Sequence, residues 1–165
     1  MELRGKAHCF GSDVNTDYII SGKYKFKTLD MKELAKHVME DLDPEFAAKV
    51  QSGDFVIAGR NFGCGSSREQ APLALINAGV GAVLAQSFAR IFYRNAINTG
   101  LPVVVCDTSS IKAGDELAVD LERGVLKNMT QGKEITVQPL PPVMLKILAD
   151  GGLAEHFRKY GTFNL

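Results

Sequence analysis

The chain has 165 residues, of which 45% are hydrophobic and 23% charged, with a formal net charge of zero. That length fits one domain, residues 1–165, with a substantial core, and the balanced charge leaves no electrostatic footprint for nucleic acid. No apolar run approaches the roughly 20 residues of a membrane span, and Met1 to Thr16 is too mixed and polar for a signal peptide, so a cytoplasmic location is expected.

Arg4 to Phe10 reads as a first strand, followed by a polar, turn-rich loop, Gly11-Ser12-Asp13-Val14-Asn15-Thr16-Asp17. Tyr24-Lys25-Phe26-Lys27-Thr28 is a basic loop. Met31 to Glu40 predicts a helix with Asp30 as its cap. Asp43-Pro44 opens a further short helix to about Val50. The apolar run Asp54 to Gly59 predicts a buried strand, and Gln70 to Ala78 a helix ending near Gly79. Gly81 to Ala85 is a second buried strand with a helix behind it, from about Phe88 to Asn98, and Leu101 to Cys106 is a third strand. This order argues for an α/β fold with a parallel βαβ core. After Asp107 the short runs Gly114 to Asp120, Gly124 to Lys127 and Glu134 to Val137 are separated by glycines, as in a small antiparallel β extension. Pro141-Pro142 then opens a C-terminal helix interrupted by Gly151-Gly152.

Between the strand at 54–59 and its helix lies Asn61-Phe62-Gly63-Cys64-Gly65-Ser66-Ser67-Arg68-Glu69. A strand-to-helix turn brings free N–H groups and the positive end of a helix dipole together, which suits an anion. Gly63 and Gly65 allow close backbone approach, and Arg68 supplies a planar fork for a carboxylate. The loop is not a Walker A loop, because no Gly-Lys-Ser/Thr follows the glycines. It is a poor dinucleotide fingerprint, since Arg68 stands where a third glycine belongs, and no Gly-x-Ser-x-Gly elbow is present. Two readings remain open on spacing alone: a small-anion site, and a structural turn whose serines cap the helix.

The three cysteines, Cys9, Cys64 and Cys106, are odd in number and far apart, which argues against a disulfide framework. They form no Cys-x-x-Cys, and His8, His37 and His156 are scattered, so no metal or iron–sulfur site is expected within this chain. Cys64 alone lies where a thiolate would be stabilised, and a Cys/His hydrolase would need the fold to bring a histidine beside it. Phe88, Ile91, Phe92 and Ile97 have the spacing of a helix face packed on a core.

Three segments together carry a family resemblance. Phe10 to Asp17 is similar to the opening motif of the aconitase-type small subunits, Asn61 to Glu69 to their substrate loop, and Ser87 to Asn98 to the helix that follows. The resemblance runs through nearly the whole chain in order. It implies a swivelling β/β/α domain and a separate large subunit that holds a [4Fe-4S] cluster, with no cofactor bound by this chain. The implied reaction is dehydration of a small hydroxy diacid and rehydration at the neighbouring carbon, with isopropylmalate in leucine biosynthesis as first choice. Homoaconitate and 2,3-dimethylmalate are the alternatives.

Carried over by position, Ser66 is the implied base that removes a proton next to a carboxylate, and Asp17 the implied acidic residue of the Thr-Asp motif. Ser67 would hold an oxygen of the substrate or of Ser66, Arg68 would clamp a carboxylate, and Gly65 and Cys64 complete the substrate loop. Ser67 as a helix cap and Asp17 bonded to its own turn are the structural alternatives. Arg90 and Arg94 are read as structural and left outside the site. The specificity loop departs from the family: Tyr24-Lys25-Phe26-Lys27-Thr28 is one residue longer. Lys25 or Lys27 could replace the arginine that grips an extra carboxylate in homoaconitate relatives, or both could be solvated. Phe26 could instead wall an alkyl group. A free-standing carboxylate-binding module is the rival from another class. Without its partner the uncovered active face is expected to favour homo-oligomers.

Overall fold

The computed structural model describes residues 1–21, 30–66 and 69–161. The first strand, β1 (Glu2–Cys9), leads into a one-turn helix, α1 (Thr16–Ile19). Two short helices follow, α2 (Met31–Ala35) and α3 (Phe46–Lys49). The central run is β2 (Phe55–Ala58), α4 (Gln70–Asn77), β3 (Ala82–Ala85), α5 (Arg90–Thr99) and β4 (Val103–Val105). Then come β5 (Glu116–Asp120), β6 (Val125–Asn128), β7 (Lys133–Thr136), α6 (Pro142–Ala149) and α7 (Leu153–Tyr160).

All seven strands share one sheet, in the order β4-β3-β2-β1-β5-β6-β7. The β1–β2, β2–β3 and β3–β4 pairs are parallel, and the β1–β5, β5–β6 and β6–β7 pairs antiparallel. β1 joins the two halves along its length: Glu2 to Lys6 pair with β5, while Ala7 to Cys9 pair with β2. The antiparallel strands therefore continue the parallel core through β1. The outer edges also meet, through an antiparallel bridge between Cys106 and Val137 and a 3.0 Å bond from Gln138 N–H to the Val105 carbonyl. The sheet is thus curled, and its two edge strands are partly protected.

Every residue of β2 and β3 is buried, as expected of parallel strands covered on both faces. Phe46, Phe55, Phe62, Leu75, Leu84 and Leu101 are among the largest fully buried side chains, each contributing about 1.5–3 kcal/mol by leaving water. α4 packs on α2 and α5, and α5 on α6 and α7. Pro142 stands in the first turn of α6, where its missing N–H costs nothing. The glycine pair at 151–152 breaks the C-terminal helix into α6 and α7, as its sequence predicts.

Two expectations change. The helix predicted over Met31 to Glu40 stops at Ala35, although Asp30 does cap it, accepting from Lys32 N–H. Met39 adopts a left-handed φ of 58°, and its N–H donates to the Ile19 carbonyl at 2.8 Å. A tertiary hydrogen bond has replaced the helical one. The loop read over Gly11 to Asp17 also ends early: the Asn15 side chain accepts from Asp17 and Tyr18 N–H and starts α1.

Candidate active site

Three loops meet beyond the C-terminal ends of β1, β2 and β3, the place where parallel α/β sheets present ligand sites. They are laced together by backbone. Asp13 N–H donates to the Arg60 carbonyl at 2.8 Å, Gly63 N–H to Val14 at 2.7 Å, and Thr16 N–H to Cys64 at 2.9 Å. On the other side, Phe62 N–H donates to the Ser87 carbonyl and Ala89 N–H to the Phe62 carbonyl, at 3.1 and 2.9 Å. The glycine loop is therefore strapped between the first motif and the start of α5.

Side chains reinforce the lacing. Ser12 Oγ accepts from Arg60 N–H and Ser87 Oγ from Asn61 N–H, at 2.9 and 2.8 Å. Asp13 and Asn61 both take left-handed φ, 57° and 59°, and bond to each other through Asn61 Nδ2 and Asp13 Oδ1 at 3.2 Å. Non-glycine residues there store strain that surrounding contacts must hold. Beneath the loop, Phe62 meets Phe88 and Phe92 edge-on, with ring centroids 6.0 and 5.2 Å apart.

Gly63 and Gly65 also take left-handed φ, 84° and 94°. A Cβ on Gly63 would lie 2.2 Å from Phe92 Cγ, so the loop sits directly on the α5 aromatic ring. Thr16 is buried, and its Oγ1 donates to the Ser66 carbonyl at 2.9 Å. Ser66 itself is exposed. Backbone contacts thus fix the stretch that carries it and leave its side chain open.

A cavity of about 410 Å³ opens here, lined by Thr16, Gly63, Gly65 and Ser66 and, from the start of α5, by Ala89, Arg90, Ile91, Phe92 and Arg94. Its size falls within the usual range for small-ligand sites, about 300–1,000 Å³. Of the residues predicted from sequence, Ser66 and Gly65 lie on its wall. Asp17 is exposed in the first turn of α1, next to Thr16. Cys64 is half-buried and its backbone bridges to Asn15. Ser67, Arg68, Lys25 and Lys27 lie outside the described residues. The N-cap of α4 is Glu69, without a side-chain cap.

Arg90 and Arg94, set aside in the sequence reading, line the same cavity. Their spacing of four along a helix was the signal: it puts both on one face. Ile91, 53% exposed, adds an apolar patch to the same wall.

No histidine lines the cavity. Each is held by a carboxylate elsewhere: His8 by Asp54 at 2.8 Å, His37 by Glu40 at 3.1 Å and His156 by Asp150 at 2.8 Å. Burial pushes the Asp54 carboxyl up, but bonds from His8 and from Gln51 and Lys6 N–H outweigh it and hold Asp54 below the usual carboxylate range. Burial, with Asp107 nearby, pushes the Cys106 thiol up to about 12, which makes it a poor nucleophile. Among the described residues, no three His, Cys, Asp or Glu side chains gather as a metal site. Nor is any described helix long and apolar enough to cross a membrane.

Comparison with known proteins agrees with this geometry. The aconitase C-terminal domain family matches residues 14–107, more than half of the chain, including the glycine loop and the start of α5. The 3-isopropylmalate dehydratase small subunit 2 of Archaeoglobus fulgidus is 58% identical over 165 residues, covering the whole of both chains. The methanogen homoaconitase small subunit of Methanothermobacter thermautotrophicus is 54% identical, covering 95% of this chain and 91% of its own. The crystal structure of 3-isopropylmalate dehydratase from Methanocaldococcus jannaschii superposes with a TM-score of 0.93 at 46% identity, covering 98% of this chain and 96% of that one. The laced loops, the curled mixed sheet and these full-length likenesses agree: the chain belongs to the aconitase C-terminal domain family, among the 3-isopropylmalate dehydratase small subunits.

Proposed function

We propose that this chain is the small subunit of a cytoplasmic, heteromeric hydro-lyase that isomerises a hydroxy dicarboxylic acid, with isopropylmalate as its substrate. The observation that carries the reading is Ser66, side chain open on the cavity wall and backbone fixed by Thr16, at the C-terminal ends of a parallel sheet. In this reading Ser66 takes the proton from the carbon next to a carboxylate. A hydroxyl is a weak base, and nearby N–H donors and cations lower the cost of its developing negative charge. Arg68 clamps a substrate carboxylate, Ser67 steadies an oxygen, Cys64 and Gly65 shape the loop, and Asp17 is the acidic active-site residue of the Thr-Asp motif.

The family relation supports a large-subunit partner carrying a [4Fe-4S] cluster. When bound there, the cluster supplies Lewis acidity toward the leaving hydroxyl. This chain's share is to bind, orient and deprotonate. Ile91 and Ala89 on the cavity wall favour a branched alkyl substituent. The likeness to a homoaconitase small subunit keeps homoaconitate as the second reading, with Lys25 or Lys27 gripping its extra carboxylate.

The test is anaerobic co-expression with a cluster-bearing large subunit and assay of unsaturated-acid formation across a panel of hydroxy diacids. Turnover of isopropylmalate, abolished by Ser66→Ala in an intact complex, is the expected result. Undiminished turnover removes Ser66 as base. Turnover of homoaconitate alone reassigns the substrate and keeps the mechanism. Carboxylate binding by the lone chain, with no complex and no turnover, favours a free-standing binding module.

A further inference from the structure

We propose that Asp13 and Asn61 are positioning residues for Ser66: bonded to each other in left-handed backbone, they step the register between the first motif and the glycine loop by one residue and so aim Ser66 at the cavity. The proposal rests on the reading of Ser66 as base. Past the ends of β1 and β2 the two segments go on running side by side, but out of step. Cys9 faces Ile57, whereas Asn15, six residues on, faces Cys64, seven residues on. The glycine-loop segment therefore takes up one extra residue between these pairs, as a β-bulge does. A one-residue shift exchanges the side chains presented to each face, so the step decides on which side of the loop Ser66 lies.

The step falls at Asp13 and Asn61. Backbone bonds cross cleanly on either side of it: Phe10 N–H donates to the Ile57 carbonyl at 2.7 Å before it, and Gly63 N–H to Val14 and Thr16 N–H to Cys64 after it. At the step itself hydroxyls take over, with Ser12 Oγ accepting from Arg60 N–H and Ser87 Oγ from Asn61 N–H. Donors that the shifted ladder would orphan are thus satisfied. Both Asp13 and Asn61 are exposed, so burial does not account for two side-chain-bearing residues in disfavoured backbone. Asp and Asn are the types that enter this region most easily, and the bond from Asn61 Nδ2 to Asp13 Oδ1 ties the two together.

The experiment measures kcat and KM of the assembled enzyme with Asn61→Ala, Asn61→Gly, Asp13→Ala and Asp13→Asn. Asn61→Ala removes the bond and resists the left-handed φ; its kcat should fall by roughly 10- to 100-fold with little change in KM, as for a misplaced base. Asn61→Gly should lose less, because glycine takes that backbone freely. Asp13→Asn keeps the acceptor and should lose less than Asp13→Ala. Unchanged kcat per complex in both Ala variants overturns the proposal, since the pair would then serve stability alone. A raised KM with unchanged kcat also overturns it, because the pair would then act in substrate binding.

A readout independent of turnover is amide hydrogen exchange of the full chain. In Asn61→Ala, exchange at Gly63 and Thr16 should quicken by roughly tenfold, the left-handed cost of the new residue, while Val83, bonded to the Pro102 carbonyl inside the sheet, is unchanged. Equal quickening at Val83 marks a global loss of stability and overturns the proposal, as does no change at Gly63 and Thr16. Where an Ala variant fails to assemble, Asn61→Gly and Asp13→Asn carry the kinetic test: kcat equal to wild type in Asn61→Gly shows that the bond does not position Ser66. If the wild-type complex turns over no hydroxy diacid, the function reading fails by itself, and the exchange experiment still decides whether the pair sets the step.

Discussion

Gly63→Ala probes the coupling between the substrate loop and α5. The new methyl carbon would stand 2.2 Å from Phe92 Cγ and 2.4 Å from Phe92 Cβ, at a φ of 84°. Left-handed backbone costs a non-glycine residue about 1–2 kcal/mol. Forcing a methyl against a packed ring adds about 1–3 kcal/mol. The sum, roughly 2–5 kcal/mol, should lower the melting midpoint by roughly 4–20 °C for a chain of this size. Gly114→Ala is the control, because Gly114 has a φ of 87° with nothing within 4 Å of its would-be Cβ. It should cost the backbone share alone, about 1–2 kcal/mol. Urea unfolding of both variants, followed by circular dichroism, gives the difference that belongs to Phe92. If Gly63→Ala is no more destabilising than Gly114→Ala, Phe92 does not back the loop, and α5 is not locked to the stretch that carries Ser66.

Thr16→Val keeps the shape of a buried side chain but removes its bond to the Ser66 carbonyl. It should cost about 0.5–1.5 kcal/mol of stability, and turnover should fall by up to roughly 100-fold as Ser66 loses its position; unchanged turnover in an intact complex would mean that this bond does not position the base. Asp54→Asn should destabilise the chain by roughly 1–3 kcal/mol at neutral pH, because Asp54 accepts from His8, Lys6 and Gln51. Its folded pKa lies below the unfolded value, so its contribution is present above about pH 4 and fades as pH falls through the folded pKa. Denaturation of wild type and variant from pH 7 down to pH 2 should therefore show a stability gap that closes in acid; a gap independent of pH would assign the effect to packing. Ser66→Ala should abolish turnover without weakening assembly with the large subunit, as measured by co-purification.

Local chemistry wrote several features into the sequence unambiguously. The apolar runs at 55–58 and 82–85 had to be buried strands, because nothing in them can face water. Asp30, Pro142 and the Gly151-Gly152 break announced helix boundaries through their own backbone and side-chain preferences. The residue types of the glycine loop left an anion site and a structural turn both open, whereas the joint motifs pointed to the family.

Tertiary structure decided what depends on partners distant in the chain. The length of α2 was settled by Met39 bonding to Ile19 rather than to its own helix, which no propensity encodes. The membership of β5 to β7 in the main sheet was settled by β1, whose two halves serve different neighbours. The site shows the same division. Ser66 was legible from its motif, but the cavity wall formed by Arg90, Ile91 and Arg94 was not. Helical spacing places Arg90 and Arg94 on a common face, but only the tertiary placement of α5 beside the glycine loop brings that face to the cavity.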